Sequence, residues 1–297
     1  MPVVWVLTGL SFAALGMSFL GALHPVGDSL AVFRAWLCIM AMTLALFLPV
    51  ARRWRMALVG LGAAGIATVG WQKMPSASPS LGPNFTVVYQ KNVFHQNTDL
   101  VALADDIRAS DAHFVTLQEM SVSNDPLLDL LKEEYPYQHL CRFQSRGGTA
   151  VLSRVRPVNV APCQDVYAMA RMTVDLGLDR PVEVLSVHLA WPFPGVQPHQ
   201  LDHLLDDLKA MDNPVLIGGD FNMVPWSNAL SSVARASGTR RVGSAKTTFK
   251  IGALPISIDH IFAPDGGTTQ RRPLLGSDHF GLRATVRPLG WDQKNPN

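Results

Sequence analysis

Several stretches with the pattern of buried β-strands end in side chains that do not suit an apolar interior. A strand covered on both faces is built mainly from apolar residues, yet carboxylates, amides and imidazoles stand at these strand ends. Each one alone has an ordinary explanation, because loops carry polar residues and Asp and Asn favour turns. Together they offer oxygen ligands for a hard cation such as Mg²⁺ and imidazoles for contact with an anion. These residues are Asn92, Glu119, His188, Asp220, Asn222, Asp259, Asp278 and His279.

The order of these residues and their neighbours is more specific than any one of them. The landmarks along the chain are Asn92, Gln118-Glu119, Gly148-x-Ala150-x-Leu152-Ser153-Arg154, His188-Leu189, Gly219-Asp220-Phe221-Asn222, Asp259-His260 and Ser277-Asp278-His279. This series resembles the endonuclease/exonuclease/phosphatase superfamily, which includes DNase I, abasic-site endonucleases, neutral sphingomyelinases and inositol polyphosphate 5-phosphatases. The resemblance extends from Phe85 to Val286, and the segment before it is similar to a bacterial membrane-anchored branch. It implies an enzyme that hydrolyses phosphoesters with the help of a metal ion.

The resemblance implies a metal site built on Glu119. In the superfamily the Glu of the Gln-Glu motif holds the metal, and the equivalent of Asn92 lies beside it. Asp278 resembles a carboxylate that joins the metal shell directly or through water. Because Mg²⁺ prefers oxygen ligands and keeps several waters, one or two carboxylates are enough. We therefore expect Mg²⁺ as the cofactor, with Mn²⁺ as the alternative.

The remaining landmarks resemble the groups that carry out the hydrolysis. Asp220 matches the residue that orients or deprotonates the attacking water, and Asn222 would donate its amide to that water or to a phosphate oxygen. His279 would contact the scissile phosphate, with Asp259 holding its tautomer and its positive charge. His188 matches a histidine that contacts the phosphate or assists the leaving group. The resemblance does not decide which of these groups is the acid and which the base.

The other histidines have no motif that supports a functional role. His260 follows Asp259 and points to the opposite face of the predicted strand, because successive side chains of a strand alternate, so we interpret it as structural. The remaining ones fit surface or core positions: His95, His113, His139, His199 and His203.

Short apolar strands alternate with amphipathic helices after residue 84, which predicts an α/β fold with two mixed sheets covered by helices. The resemblance makes this a four-layer α/β/β/α sandwich. Predicted helices cover Asp99–Arg108, with Asp99 as a plausible N-cap, Pro126–Glu134 and Gln200–Met211. Predicted strands cover Phe85–Tyr89, Phe114–Leu117, Gly148–Ser153, Arg171–Leu176, Val182–His188, Val215–Ile217, Ile258–Phe262 and Leu282–Val286.

The first quarter of the chain contains three apolar runs: Val3–Leu23, Ala35–Ala51 and Met56–Trp71. About 20 apolar residues cross a bilayer of about 30 Å as a helix, so the third run is marginal. A cleaved signal peptide would have a basic start and no further apolar runs, and a buried helix of a soluble protein usually has a polar face. We therefore predict a membrane segment with about three transmembrane helices at 1–73, a linker at 74–83 and a catalytic domain at 84–297.

Arg52, Arg53 and Arg55 lie between the second and third runs. The positive-inside rule places them in the cytoplasm. If the third run spans, the catalytic domain lies on the outer, periplasmic side of the plasma (inner) membrane. If that run only lies at the interface, the domain is cytoplasmic. The expected partners are therefore the lipid bilayer and a phosphoester substrate, whereas the sequence does not indicate an oligomeric state.

Charge and cysteine content leave two questions open. The formal net charge is +2, but the residues before 76 include five basic and one acidic, so the remainder has 22 acidic and 20 basic residues. Such a domain has no strong field for attracting nucleic acid. Cys38 lies in an apolar run and fits inert packing. Cys141 and Cys163 are either a disulfide or two free thiols, depending on the compartment.

Three functions compete on this basis. A phosphodiesterase acting on a lipid headgroup, or on another membrane-proximal phosphoester, fits the membrane segment and the aromatic loop Ala190–Gly195 that follows His188. An extracytoplasmic nuclease would use the same active site, and the basic residues Arg235, Arg240, Arg241, Lys246 and Lys250 could flank it. A non-catalytic binding protein is disfavoured because every expected catalytic position is filled.

Overall fold

The computed structural model describes residues 2–74, 85–143, 147–164 and 166–287. The helices are α1 (Pro2–Met17), α2 (Pro25–Val32), α3 (Arg34–Leu46), α4 (Arg52–Lys73), α5 (Leu100–Ala109), α6 (Pro126–Leu130), α7 (Gln197–Lys209) and α8 (Asn228–Ala236). The strands are β1 (Thr86–Asn92), β2 (Phe114–Met120), β3 (Tyr137–Phe143), β4 (Gly147–Ser153), β5 (Pro157–Val160), β6 (Met169–Val174), β7 (Val182–His188), β8 (Val215–Asp220), β9 (Arg240–Arg241), β10 (Phe249–Ile251), β11 (Leu254–Ile256), β12 (Asp259–Ala263), β13 (Gly267–Arg272) and β14 (Gly281–Val286).

Twelve of these strands form two six-stranded mixed sheets, which confirms the predicted α/β fold. The first sheet has the order β13-β14-β1-β2-β4-β3, and the second has the order β5-β6-β7-β8-β12-β9. Each sheet contains one parallel pair at its centre, β1 with β2 and β7 with β8, while the other pairs are antiparallel. The strands β10 and β11 form a separate hairpin.

The two sheets pack face to face, and helices cover their outer faces. Side chains such as Val88, Val184 and Leu216 fill the layer between the sheets. A second apolar cluster joins the outer face of the first sheet to α5 and α6, and a third joins the outer face of the second sheet to α7 and α8. The arrangement is therefore the α/β/β/α sandwich that the resemblance implied, and the centres of the sheets are buried on both sides.

Gly218 on β8 faces β2 of the other sheet at close range. A Cβ atom added there would lie 2.2 Å from Oγ1 of Thr116 on the facing strand β2. Gly219, the next residue, has the same restriction against the carbonyl oxygen of Val187, at 2.4 Å. The two glycines therefore let β8 lie close to its neighbours just before Asp220, which fixes the position of that carboxylate.

The apolar runs at the start of the chain form helices with bounds that differ from the prediction. The first run, Val3–Leu23, is helical only as far as Met17, where α1 ends, and a further helix, α2, begins after the run at Pro25, where His24 Nδ1 accepts a hydrogen bond from Val26 N at 3.2 Å. The predicted loop with the three arginines is instead the first turn of α4. Arginine has a high helix propensity, so it extends the helix rather than ending it.

Within the described residues, no individual helix combines the length and the apolar character needed to cross a membrane. The helices α2 and α3, which are bent by 74° at their junction, meet that requirement only as a pair. The helix α3 packs against both α1 and α4.

The N-terminal helices dock against the second sheet's helix layer. Both carboxylate oxygens of Asp28 on α2 accept hydrogen bonds from the first turn of α8, from Asn228 N at 2.7 Å and Ala229 N at 2.9 Å. The indole of Trp226 donates to Ala31 O at 2.7 Å. A carboxylate at a helix N-terminus is stabilised by the free amides and the helix dipole, so these contacts hold the two parts of the chain together.

Three further sequence predictions can be compared with the structure. Cys141 and Cys163 form a disulfide with a Cα–Cα distance of 5.4 Å, which resolves the alternatives that the sequence left open. Asp99 precedes α5 but makes no side-chain capping hydrogen bond, so the predicted N-cap is wrong in that respect. The predicted linker at 74–83 falls, apart from Met74, outside the described residues.

Candidate active site

The polar strand ends converge because each sheet has a parallel pair at its centre. The carboxyl ends of parallel strands meet at one edge of a sheet, and the two sheets face each other. Asn92 lies opposite Gln118 in the first sheet, while His188 lies opposite Asp220 and Asp220 opposite Asp259 in the second. The resulting cleft has a volume of about 520 Å³ and is lined by His95, Glu119, Ser121, Gly147, His188, Asp220, Asn222, Phe249, Ile258, Asp278 and His279.

Glu119 is turned into the cleft by an irregularity of β2. The pairing of β2 with β4 shifts between Leu117 and Met120, and Glu119 has a left-handed φ of 56°. Its Oε1 accepts a hydrogen bond from Asn92 Nδ2 at 3.0 Å, and its Oε2 accepts one from His95 N at 3.3 Å. Burial by itself raises the pKa of Glu119, but the Asn92 hydrogen bond and the charge of His188 outweigh it and lower the pKa. Glu119 is therefore an ionised carboxylate at the cleft surface.

Asn92 joins the two sheets at the bottom of the cleft. Its Nδ2 donates to Glu119 Oε1 of the first sheet and to Asp220 Oδ2 of the second, both at 3.0 Å. Its Oδ1 accepts a hydrogen bond from Phe94 N at 3.0 Å. The fully buried amide thus orients two carboxylates at once, and the role of Asn92 as a metal ligand stays a prediction.

Asp220 is almost fully buried, with 1% of its surface exposed. Burial and the neighbouring charge of Asp259 raise the pKa of Asp220 to about 7, against the opposing effect of His279. Its Oδ1 accepts a hydrogen bond from Asn222 N at 2.9 Å. A carboxyl group with a pKa near neutrality is suited to take a proton from water.

Asn222 follows in a left-handed conformation, with φ of 51°. Its Nδ2 donates to Leu189 O at 2.8 Å, which ties the loop after β8 to the loop after His188. From the sequence, this amide is predicted to donate to phosphate or water. The structure shows that one of its two N–H groups already serves a structural hydrogen bond.

His279 and Asp259 form a buried pair. His279 Nδ1 lies 2.8 Å from Asp259 Oδ2, and Gln90 Nε2 donates to Asp259 Oδ1 at 2.9 Å. Burial lowers the pKa of His279, but the charges of Asp259 and Asp220 outweigh that effect and raise the pKa to about 10. His279 is therefore an imidazolium at neutral pH, with Nε2 3.8 Å from Asp220 Oδ2.

His188 completes the polar group at the bottom of the cleft. Its Nε2 lies 3.7 Å from Asp220 Oδ2 and 4.0 Å from Glu119 Oε1. The Nε2 atoms of both histidines thus lie within 4 Å of the same oxygen of Asp220. This arrangement surrounds one carboxylate with two groups that can carry a proton.

The donors of the cleft fit a hard divalent cation. Glu119 is ionised and opens into the cavity, and the exposed carboxylate of Asp278 lines the same cavity. Oxygen donors with room for water are what Mg²⁺ requires. Among the described residues, one ligand atom each of Asp220, Asp259 and His279 also lie within 4.8 Å of one another. His279 and Asp259 already bond each other, so Glu119 offers the more open carboxylate for a cation.

Two cleft features were missed by sequence reasoning. His95 was expected to be a surface or core residue, yet its Nδ1 lies 3.2 Å from Glu119 Oε2. Phe249, on the hairpin β10–β11, packs against the His279 ring with a centroid distance of 4.7 Å and an angle of 38° between the ring planes. Neither residue belongs to a motif. By contrast His260 lies on the opposite face of β12, buried, with Nε2 2.8 Å from Met223 O.

Comparisons with known protein families and solved structures agree with the fold described above. A family model described as Endonuclease/Exonuclease/phosphatase family matches residues 90–279. No sequence among the curated proteins matches the chain. Among solved structures, an endonuclease/exonuclease/phosphatase from Beutenbergia cavernae DSM 12333 has 19% identity and a TM-score of 0.55 over 69% of this chain and 72% of its own.

Two further structures share this fold. D. rerio TDP2 complexed with single strand DNA product has 16% identity and a TM-score of 0.54, covering 68% of this chain and 98% of its own. A mutant of beta toxin from Staphylococcus aureus with bound magnesium ions has 17% identity and a TM-score of 0.51, covering 68% and 99%. At these identities the likeness concerns the fold.

Proposed function

Because the chain belongs to the endonuclease/exonuclease/phosphatase family and is a metal-dependent phosphoesterase, we propose that it hydrolyses a phosphoester presented at a membrane surface, with a lipid headgroup as the preferred substrate class. The N-terminal helices would anchor it in that membrane. The proposal has two parts, the chemistry of the cleft and the position of the cleft relative to lipid.

The cleft residues divide the hydrolysis among them. Asp220, with its pKa near 7, takes the proton of the attacking water. His279 is held as an imidazolium by Asp259 and donates its Nε2 hydrogen to a phosphoryl oxygen. His188, whose Nε2 lies 3.7 Å from the Asp220 carboxylate, donates the proton that the leaving oxygen takes up. A divalent cation held by Glu119, with Asp278 and the Asn92 oxygen as further donors, would neutralise charge on the phosphoryl group.

The observation that carries the membrane part is the exposed apolar surface of the N-terminal helices. Each of α1, α3 and α4 has one buried face, and large apolar side chains on their other faces and at their ends are solvent-exposed, including Leu10 (62%), Phe47 (70%), Trp54 (60%) and Trp71 (76%). Proteins in water seldom expose contiguous apolar patches of this kind, which mark contact with lipid or with another protein. Lipid contact requires no further partner, and tryptophans at helix ends are enriched at membrane interfaces.

The docking of α2 places the N-terminal helices against the loop that follows the cleft residue His188. The loop that follows His188 is tied to α2, since Phe193 N donates to Ser29 Oγ at 3.0 Å and Ser29 Oγ lies 3.2 Å from Phe193 O. The Phe193 ring lies edge-on to His24, with a centroid distance of 5.7 Å. A substrate in the plane of the membrane would therefore meet the rim of the cleft.

The sidedness proposed from the arginines of α4 places the catalytic part outside the cytoplasm. The disulfide between Cys141 and Cys163 supports this location, because disulfides persist in oxidising compartments and are rare in the cytosol. We propose the outer face of the plasma membrane as the location.

A nuclease would need a basic surface along the cleft. None of the described lining residues of the cleft is Lys or Arg. Arg240 and Arg241, which the sequence analysis placed as possible flanks, line a different cavity against α4. The lipid headgroup is therefore the favoured substrate class, and nucleic acid is tested as the competing outcome.

The test uses the full chain, purified in detergent and reconstituted in vesicles, with Mg²⁺ or with EDTA. Substrates are mixed phospholipids, sphingomyelin, plasmid DNA, single-stranded RNA and bis-p-nitrophenyl phosphate. We expect lipid cleavage and metal-dependent turnover of the model diester. Glu119→Ala, Asp220→Ala and His279→Ala should abolish turnover and keep the circular dichroism spectrum, while the exposed His199→Ala should retain activity. Plasmid nicking without lipid cleavage would overturn the substrate assignment.

A further inference from the structure

A second cavity lies between the end of α4 and the catalytic part of the chain. It has a volume of about 530 Å³ and shares no lining residue with the cleft. Its apolar walls come from α4, from α8 and from the second sheet, and two arginines of β9 complete it. The residues on which the argument depends are Trp71, Trp226, Leu230, Phe262, Arg240 and Arg241. We call it the interface cavity.

The interface cavity is basic and has no acidic lining residue among the described ones. Arg241 donates to Gly243 O at 2.7 Å and to Met74 O at 3.1 Å, and forms no ion pair with a described carboxylate. Arg240 is exposed beside it. Lys73 Nζ lies 5.7 Å from the centre of the Trp226 ring, which forms one wall. Two arginines thus line the cavity, Lys73 lies next to its Trp226 wall, and no described acidic residue lines it.

Burial makes the positive charge of Arg241 more costly. It lowers the pKa of Arg241 to about 10, and no neighbouring carboxylate acts in the opposite direction. A half-buried guanidinium without a counter-ion is costly, and the cost falls when an anion enters. Arg is also the side chain whose geometry suits phosphate oxygens, through paired N–H donors.

The position of the cavity on α4 specifies where such an anion comes from. Trp71 and Lys73 form the last turn of α4, and Trp71 is 76% exposed. The opposite end of α4 carries the arginines of the first turn. In a membrane-embedded helix, a terminal Trp and Lys lie at the depth of the lipid headgroups. The cavity therefore opens at the level where phospholipid phosphates lie, with apolar walls towards the acyl chains.

We propose that the interface cavity binds an anionic phospholipid, with the phosphate between Arg240, Arg241 and Lys73 and the start of an acyl chain against Trp71 and Leu230. This site is separate from the catalytic cleft, and it rests on the proposed membrane anchoring. The bound lipid joins α4 to β9 and α8. It therefore fixes the orientation of the catalytic part relative to the membrane.

The test measures lipid retained by the full chain in native mass spectrometry after extraction from vesicles of phosphatidylcholine and phosphatidylglycerol. We expect the wild type to retain phosphatidylglycerol selectively. Arg240→Gln removes an exposed charge and should weaken retention about fivefold, since one basic residue near anionic lipid contributes about 1 kcal/mol. Ala234→Trp keeps every charge and fills the cavity, so it should abolish retention. Arg235→Gln removes an arginine of α8 that does not line the cavity, and it is the matched control for Arg240→Gln.

Three results would overturn the proposal. Retention that does not distinguish the two lipids would show that the cavity has no anionic lipid, and unchanged retention in Ala234→Trp would place the lipid elsewhere. Displacement of the lipid by inorganic phosphate at equal concentration would show a simple anion site. Flotation with phosphatidylcholine vesicles separates the two proposals: a chain that floats but retains no phosphatidylglycerol keeps its anchor and loses this site, whereas a chain that does not float loses both.

Discussion

Lys91 provides the sharpest test of how the cleft is held in shape. It lies on β1 beside Asn92, is fully buried, and donates from Nζ to three backbone carbonyl oxygens: Pro273 at 2.9 Å, Leu274 at 2.7 Å and His279 at 2.6 Å. These carbonyls belong to the segment that carries Asp278 and His279. Lys91 is therefore a positioning residue, which acts on the phosphate only through the backbone of His279.

Two opposing contributions determine how Lys91→Met changes the free energy of unfolding. Burial lowers the pKa of Lys91 to about 8, against an ordinary value of about 10.4, and one pKa unit equals about 1.4 kcal/mol. Removing the buried ammonium thus relieves about 3 kcal/mol. The three carbonyls that lose their donor cost about 1–3 kcal/mol each, or about 6 kcal/mol together. We expect a net loss of about 3 kcal/mol in the free energy of unfolding.

We expect Lys91→Met to lower the catalytic rate by more than its loss of folding stability would explain. A displacement of about 1 Å at a reacting group costs about 10²-fold in rate, so kcat for bis-p-nitrophenyl phosphate should fall by about that factor while KM changes little. Urea unfolding of the full chain in detergent measures the stability, and Lys132→Met, which removes an exposed lysine, is the control. Wild-type kcat in a folded Lys91→Met protein would refute the positioning role.

Three further predictions concern single contacts. Asp259→Asn should return the pKa of His279 from about 10 towards its ordinary value near 6.5. If catalysis requires the His279 imidazolium, kcat of the variant should then fall as the pH rises from 6 to 8, whereas kcat of the wild type should not. A flat pH profile of kcat in the variant would contradict this. Cys163→Ser should lower the free energy of unfolding by about 3 kcal/mol, because the disulfide to Cys141 closes a 22-residue separation, and should leave kcat unchanged. Asp28→Asn should speed hydrogen–deuterium exchange of the first amides of α8, and protection equal to that of the wild type would argue against the docking contact.

The strand-end residues could be located from sequence because two local patterns coincide. Apolar runs identify the strands, and a carboxylate or imidazole at the end of such a run has no place in the layer between the sheets. The pairing of His188 with Asp220 then follows from β7 and β8 being parallel neighbours. The fold class and the convergence of these side chains were within reach of the sequence for this reason.

Lys91 and His95 could not be assigned in this way. The acceptors of Lys91 lie 182, 183 and 188 residues away, so nothing near it in the chain indicates that it is buried or bonded. His95 reaches Glu119 only because the backbone after β1 returns over β2. Contacts of this kind depend on how distant loops pack, and no periodic pattern encodes them.

The helix bounds at the start of the chain differ from the predicted apolar runs because of local features of the sequence. Hydropathy marks apolar runs but is insensitive to a break such as the turn between Met17 and Pro25. It also assigned the arginines before Met56 to a loop, although they form the first turn of α4. The contact of Asp28 with α8 could not be predicted from the sequence, because Asp28 is the only acidic residue before residue 76. A single acidic residue forms no periodic pattern.

The catalytic geometry depends on the stacking of the two sheets as much as on the strands themselves. Asn92 bonds carboxylates of both sheets, Gln118 of the first sheet donates to Ser186 of the second at 2.9 Å, and Gln90 of the first donates to Asp259 of the second. Glu119, the candidate metal ligand, and Asp220, the candidate base, therefore lie on different sheets, and their separation is set by buried amides. A small change in the sheet spacing would alter the distance between metal and water before it exposed any apolar side chain, so activity should be lost earlier than the fold.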